Sequence, residues 1–139
     1  MKIFIKKLHK DAKLPTRAHH DDAGMDLYAL GSHTVNPHET AIISTGISIK
    51  NESGYVGLIL DKSSIASKGL RTLGGVIDAS YRGEWKVIIH NLSDEAYTFE
   101  DGHKVAQILI QKVELPELVE VEDLDETIRG GRGFGSSGK

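Results

Sequence analysis

The sequence predicts an all-β protein of sandwich or jelly-roll type with one short helix. Three observations predict it. Short runs of alternating or β-branched residues recur along the whole chain. Turn signals separate those runs at nearly regular spacing. One stretch alone, Asp61 to Gly69, reads as helical, so the strands lack the alternating helices of an α/β sheet. No internal repeat is visible. The 139 residues suit one β core, assigned to 1–128, followed by a flexible Gly-rich arm, 129–139.

Lys2 to Lys6 alternates, with Ile3 and Ile5 on one side, and reads as the first strand. Pro15 to Asp22 is polar loop, after which Ala23 to Ala29 returns to apolar alternation. Asn36-Pro37-His38 is a turn. Thr40 to Ile49 is strand-rich but broken at Gly46, and Glu52-Ser53-Gly54 is another turn. Tyr55 to Leu60 is a short apolar strand. Within Asp61 to Gly69, Ser63 or Ser64 is the expected N-cap and Gly69 the stop. Leu73 to Ile77 and Trp85 to His90 read as the two strands of a central hairpin, with Trp85, Val87 and Ile89 on one face. Ser93-Asp94 turns the chain into Tyr97 to Phe99. Asp101-Gly102 signals a hairpin into Val105 to Val113. Pro116 to Ile128 is acidic, with Val119 and Val121 alternating against glutamates. From Arg129 to Lys139 the Gly/Ser-rich chain cannot form a strand or helix of its own.

Composition excludes several classes of function. Charged residues make up 27% and hydrophobic residues 39%, as in an ordinary globular protein. A formal net charge of -3 argues against a general nucleic-acid or membrane-surface binder. There is no long apolar run, and Lys6 and Lys7 interrupt the short apolar start before it can form a signal peptide, so a cytoplasmic setting is expected. Without cysteine there are no disulfides, thiolate metal sites or Cys nucleophile.

The residues with chemical potential fall in a few stretches. Gly75 through Glu84 puts Asp78 at a turn, with Tyr81 three residues on; Asp78 is either a turn cap or a general base on a rigid scaffold. In Asp61-Lys62-Ser63-Ser64-Ile65-Ala66, a lysine and two hydroxyls stand where a helix begins and its free N–H groups favour an anion. Arg129 through Gly138 offers two guanidinium groups, two hydroxyls and a glycine backbone able to fold round a phosphate, plus Phe134 to stack on a base. Asp26 suits a hard ion or its waters, whereas the adjacent His19 and His20 would point apart on a strand and make a poor direct metal pair. Gln107 is a polar residue within an apolar strand, facing either backbone or a site. Together these supply a base, phosphate contacts, acids for Mg²⁺ and an aromatic for a base ring: the parts of a phosphoryl-transfer site.

Five of these stretches, in this order, resemble the five motifs of the trimeric deoxyuridine triphosphate nucleotidohydrolases, the dUTPases. They are Ala23-Gly24-Met25-Asp26-Leu27, Lys62-Ser63-Ser64-Ile65-Ala66, Gly75 through Glu84, Gly102 through Gln107, and Arg129 through Gly138. The resemblance spans nearly the whole chain. It implies a jelly-roll-like homotrimer with active sites shared between subunits and closed by the C-terminal arm. It further implies hydrolysis of dUTP to dUMP and pyrophosphate with Mg²⁺ on the triphosphate, and no stable nucleic-acid or membrane partner.

By position, Asp78 would activate the water that attacks the α-phosphorus, and Tyr81 would lie against the deoxyribose. The backbone from Thr72 through Gly75, Val76 and Ile77 would pair with the uracil edge. Asp26 and Gln107 would hold waters on Mg²⁺, with Gln107 also near substrate. Ser64, with Lys62 and Ser63 nearby, would contact phosphate. Arg129, Ser136 and Ser137 would grip the γ end, Gly135 would lie against the substrate, and Phe134 would stack on uracil.

Three positions depart from the family pattern. Asp61-Lys62-Ser63 stands where the second motif usually reads Pro-Arg-Ser, so the charge is kept but the bidentate fork is lost. Ser80 replaces a frequent Asp, and Arg132 a frequent glycine. The competing readings are a dCTP deaminase-like or bifunctional enzyme of the same fold, and a non-catalytic β-module that binds nucleotide or a partner. The deaminase reading lacks the arginine usually found soon after the serine pair, since Ile65-Ala66-Ser67 follows here. RNA binding through the Arg/Gly tail is weakened by the net charge.

Overall fold

Antiparallel pairing organises every strand among the described residues. A computed structural model describes residues 2–132. It contains β1 (Phe4–Lys7), β2 (Met25–Tyr28), β3 (His33–Val35), β4 (Thr40–Ile43), β5 (Ile47–Lys50) and β6 (Tyr55–Leu60). After the single helix α1 (Ser63–Ala66) come β7 (Leu70–Leu73), β8 (Val76–Ile77), β9 (Val87–Asn91), β10 (Tyr97–Phe99) and β11 (Lys104–Lys112). The order β2-β11-β6-β8 makes a four-stranded sheet and β4-β9-β7 a three-stranded one, while β1 with β5 and β3 with β10 form two ribbons. All-β with one short helix is the class that the sequence predicts. Tyr55 to Leu60 forms a strand at the expected bounds.

Alternation dictates which side chains enter the core. On β9, Val87 and Ile89 are fully buried, and Trp85 continues the same face just ahead of the strand. They pack in one cluster with Leu27, Ile43, Ile47, Ile49, Leu70, Phe99, Val105 and Ile108. The core therefore takes residues from both large sheets and both ribbons, as a sandwich requires. Ile3 and Ile5 pack against its edge as the first strand's alternation implies. Gly57 on β6 lies where a Cβ would come within 2.1 Å of the Trp85 ring, so the ring packs directly on that backbone.

Two pairings differ from expectation. The segments around Asp78 do not form a hairpin with one another: β8 pairs with β6, while β9 pairs with β4 and β7. The chain from Asp78 to Lys86 instead crosses between the two large sheets. Likewise Asp101 and Gly102 form a turn, but the strands on either side diverge, β10 to β3 and β11 to β2 and β6. The Asp101 carboxylate accepts a bond from the Gly31 amide at 2.7 Å, which fixes this turn to the chain leaving β2. In both places the local turn chemistry is correct. Burial of apolar faces against distant strands, not proximity in sequence, selects the partner.

The helix also begins differently. Its N-cap is Lys62, with no side-chain cap bond, and Ser63 and Ser64 lie exposed in its first turn. Gly69 follows with φ 82°, as expected of a stop. Beyond β11 the residues from Glu114 to Arg132 are exposed throughout.

Candidate active site

Two groups of functional residues emerge, on different parts of the chain. The first surrounds Asp26. In the β2–β11 register Gln107 stands directly opposite Asp26, so two motifs far apart in sequence become neighbours. Asp26 is buried, at 6% exposure, and both its oxygens are engaged. Oδ1 accepts from Lys62 Nζ at 2.8 Å and Oδ2 from Lys104 Nζ at 2.6 Å. Burial pushes the Asp26 carboxyl up, but the bonds and charges of Lys104 and Lys62 outweigh it and hold the group below its ordinary value. Lys104 is raised in turn by its bond to Asp26. Gln107 is half-buried and donates from Nε2 to the Asp61 carbonyl at 2.9 Å. Its Oε1 lies 2.2 Å from where a Cβ on Gly24 would be, so glycine is needed for its placement.

Next to this group, Asp61 closes β6. Its Oδ1 accepts from the Thr72 amide at 2.6 Å and from Thr72 Oγ1 at 2.7 Å, and its Oδ2 from Arg71 Nε at 2.7 Å. Burial raises this carboxyl, and the Thr72 hydrogen bonds and the Arg71 charge bring it below its ordinary value.

Both carboxyls are lower in the folded chain than the ordinary 3.8. Their contribution to stability is therefore complete above that value and is lost as pH falls through it and below. Thermal melts should hold a steady Tm down to about pH 5 and then decline. Asp26→Asn should lower Tm near neutrality and flatten that acid limb. An acid limb parallel to that of the parent protein would contradict the role given to the Asp26 ion pairs.

The second group lies round Asp78. Val76, Ile77, Ile42 and Ile88 form the apolar wall of a cavity of about 320 Å³, and Asp78, Tyr81, Glu84 and Lys86 complete its lining. The crossing segment that carries Asp78 and Tyr81 is pinned at several points. Tyr81 N donates to the Asp78 carbonyl at 3.1 Å, closing the turn. Ser48 Oγ donates to the Arg82 carbonyl at 2.8 Å. Glu84 Oε1 accepts from the amides of Thr45 and Gly46 at 3.0 and 2.8 Å, and Thr45 Oγ1 donates to the Trp85 carbonyl at 2.8 Å. Tyr81 folds back over Gly83, where a Cβ would lie 2.2 Å from its hydroxyl. Asp78 itself is exposed, and among the described residues no hydrogen bond engages its carboxylate. A free carboxylate on a braced loop beside an apolar cavity has the geometry of a general base for a substrate seated there.

The chain thus brings Asp26, Lys62, Gln107 and Thr72 to one neighbourhood, and Val76, Ile77, Asp78 and Tyr81 to another. None of the Asp26 group lines the cavity beside Asp78. Gly75 joins β7 to β8, and its carbonyl accepts from the Ile59 amide at 2.8 Å. Its φ of 88° and the Ile59 oxygen, 2.5 Å from a would-be Cβ, both require glycine. Arg129 is exposed, and Phe134, Gly135, Ser136 and Ser137 lie outside the described residues.

The dUTPase family model matches residues 10–138. The chain belongs to the dUTPase family. It is 45% identical to the deoxyuridine 5'-triphosphate nucleotidohydrolase of Corynebacterium glutamicum, over 99% of this chain and 95% of that protein. The corresponding protein of Wolinella succinogenes is 42% identical, over 100% of this chain and 95% of that protein. Among solved structures, a mutant dUTPase of Staphylococcus bacteriophage 80alpha with dUpNHpp superposes with a TM-score of 0.92 at 31% identity, covering 99% of each chain. A mutant dUTPase of phage phi11 of S. aureus, described with a structural Mg(II) ion, gives a TM-score of 0.84 at 27% identity, over 91% of this chain and 100% of that one. The fold of this chain is accordingly the dUTPase jelly roll.

Within the dUTPase frame, two residues gain roles that sequence reading did not give them. Lys104 neutralises Asp26, and Asp61 holds Thr72. Their signals were faint: a lysine opening a strand and an acid closing one are ordinary surface choices. Near Asp26, the donors available to a hydrated Mg²⁺ are one carboxylate, already bonded through both oxygens to Lys62 and Lys104, and the Gln107 carboxamide. Among the described residues no three His, Cys, Asp or Glu side chains cluster as a metal cage. The carboxylate and carboxamide would reach an ion only through that ion's waters, with most of its other ligands coming from phosphates.

Proposed function

We propose that this protein hydrolyses dUTP to dUMP and pyrophosphate at sites shared between the subunits of a homotrimer. The observation that carries the reading is the exposed Asp78 carboxylate on its braced loop, without a hydrogen-bond partner among the described residues, at the rim of the cavity that Tyr81 also lines. In this reading the uracil edge pairs with backbone from Thr72 to Ile77 and the deoxyribose rests on Tyr81. A 2′-hydroxyl, a cytosine amino group or a thymine methyl would meet rigid groups rather than compressible side chains. Asp78 takes a proton from a water poised for in-line attack on the α-phosphorus, and pyrophosphate leaves with the electron pair of the broken P–O bond.

In this reading the Asp26 group of one subunit faces the Asp78 loop of another, in keeping with the absence of Asp26, Lys62 and Gln107 from the cavity lining beside Asp78. Lys62, Ser63 and Ser64 lie on the Asp26 side and would contact the phosphates. Asp26 and Gln107 would hold waters on Mg²⁺. When bound, Mg²⁺ neutralises charge on the triphosphate oxygens. Residues 1–128 would act as the β core and 129–139 as an arm, with Arg129 on the γ end and Phe134, Gly135, Ser136 and Ser137 closing over the nucleotide. Among the described residues no helix is long and apolar enough to cross a membrane. A cytoplasmic setting, where free nucleotides are found, accompanies this reading.

Pyrophosphate release with Mg²⁺, compared for dUTP, dCTP, dTTP and UTP, tests the function. Fast release from dUTP alone is the expected result. Equal release from all four would contradict the base and sugar filters, and release of ammonia from dCTP would replace the reading by a deaminase.

A further inference from the structure

We propose that Asp61 is a positioning residue for pyrimidine selectivity: its carboxylate sets the backbone from Thr72 to Ile77 in place against β6. The inference rests on the dUTPase reading of that backbone as the uracil-reading edge. In the sequence Asp61 stands only as a departure from the family's usual proline, but the geometry gives it four bonds. Its side chain accepts from the Thr72 amide, the Thr72 hydroxyl and Arg71 Nε, at 2.6, 2.7 and 2.7 Å. Its backbone carbonyl accepts from Gln107 at 2.9 Å.

The topology explains why such a residue is needed. β7 is an edge strand, bonded to β9 on one side only. An edge strand leaves alternate N–H groups without a ladder partner, free to shift or to pair elsewhere. Thr72 is one residue from the end of β7, and its amide meets the Asp61 carboxylate. Four residues on, β8 is taken up by β6, and in between the Gly75 carbonyl accepts from Ile59. The turn through Leu73 and Gly74 is therefore stitched to the end of β6 at both sides, by Asp61 before it and by Ile59 after it. Recognition by a backbone edge depends on placement to a fraction of an ångström, because backbone groups cannot adjust by changing rotamer. Lys62 follows Asp61 directly, and Gln107 bonds to it, so the same residue also links this turn to the Asp26 group.

The test uses the full-length protein and its Asp61→Ala, Asp61→Asn and Asp61→Glu variants. kcat and KM are measured for dUTP, dCTP and dTTP, with amide hydrogen exchange across Thr72 to Ile77. In Asp61→Ala the preference for dUTP should fall by about tenfold or more, chiefly through a higher KM for dUTP, with kcat changed less because the Asp78 loop is untouched. Exchange at Thr72 should accelerate. Asp61→Asn keeps an oxygen for Thr72 and should restore most of the preference. Asp61→Glu keeps the charge but displaces it by one methylene, and should lose part of the preference even where Asp61→Ala fails to fold. Selectivity unchanged in Asp61→Ala and Asp61→Glu, whatever happens to Tm, would overturn the proposal and leave Asp61 a structural brace. Lack of selectivity in the parent protein would instead overturn the reading beneath it, and the proposal with it.

Discussion

Asp78→Asn is expected to lower kcat for dUTP by about two to four orders of magnitude, the usual range for a general base, with dUTP affinity nearly unchanged. The carboxamide is close in size to the carboxylate and cannot accept the water's proton at neutral pH. The fold should not notice the change. Asp78 is exposed, and among the described residues its carboxylate braces nothing. The bonds that hold its loop come from backbone groups, Ser48, Thr45 and Glu84. Equilibrium binding of dUTP together with single-turnover hydrolysis separates affinity from chemistry. Near-normal turnover would mean that another group activates the water. Loss of binding equal to the loss of rate would place Asp78 in substrate contact rather than base catalysis.

Removal of residues 129–139 should cost activity far more than stability. Where the arm begins, its bonds are local. Arg129 Nε donates to the Arg132 carbonyl at 2.9 Å and Arg132 Nε to the Arg129 carbonyl at 3.0 Å, and the Gly130 amide bonds back to Thr127. These residues are exposed and add nothing to the core cluster. Tm should therefore move by no more than about 3 °C. In the proposed reading, the truncation would remove the Arg129 charge from the γ end and the Phe134 ring from uracil. A charge-assisted bond and a base stack lost together amount to about 3 kcal/mol or more, which is at least a hundredfold in kcat/KM. Comparing kcat/KM for dUTP with the melting curve decides the matter. A truncated protein that unfolds, or that keeps its full rate, would remove the arm from the mechanism.

Much of this architecture was legible because it is local. The alternation of Trp85, Val87 and Ile89 marks a core face without any tertiary knowledge, and all three are buried. Gly69 and the Asp101-Gly102 turn stand where the residue types place them, because their conformations are intrinsic to those residues. Pairing was not legible. Two strands joined by a tight segment look like a hairpin, yet Val76 and Ile77 gain more by adding to β6, and Val87 to Asn91 by lying between β4 and β7. That choice depends on apolar faces brought together from across the chain. The site divides along the same line. Asp78, Tyr81 and Asp26 stand out as residue types in characteristic stretches. Lys104 matters only because the β2–β11 register carries it to Asp26, and Asp61 only because the fold brings β7 back beside the end of β6.

The shared site is the claim on which most of the account depends, and subunit complementation tests it most directly. Asp78→Asn chains and Gln107→Ala chains are each prepared, confirmed as weakly active alone, and then refolded together. If a site takes its base from one subunit and its Asp26 group from another, about a quarter of the sites in a random mixture carry neither defect. dUTP hydrolysis should then rise well above that of either variant. A mixture no more active than the sum of its parts would show that each chain builds its site alone, and would contradict the shared arrangement.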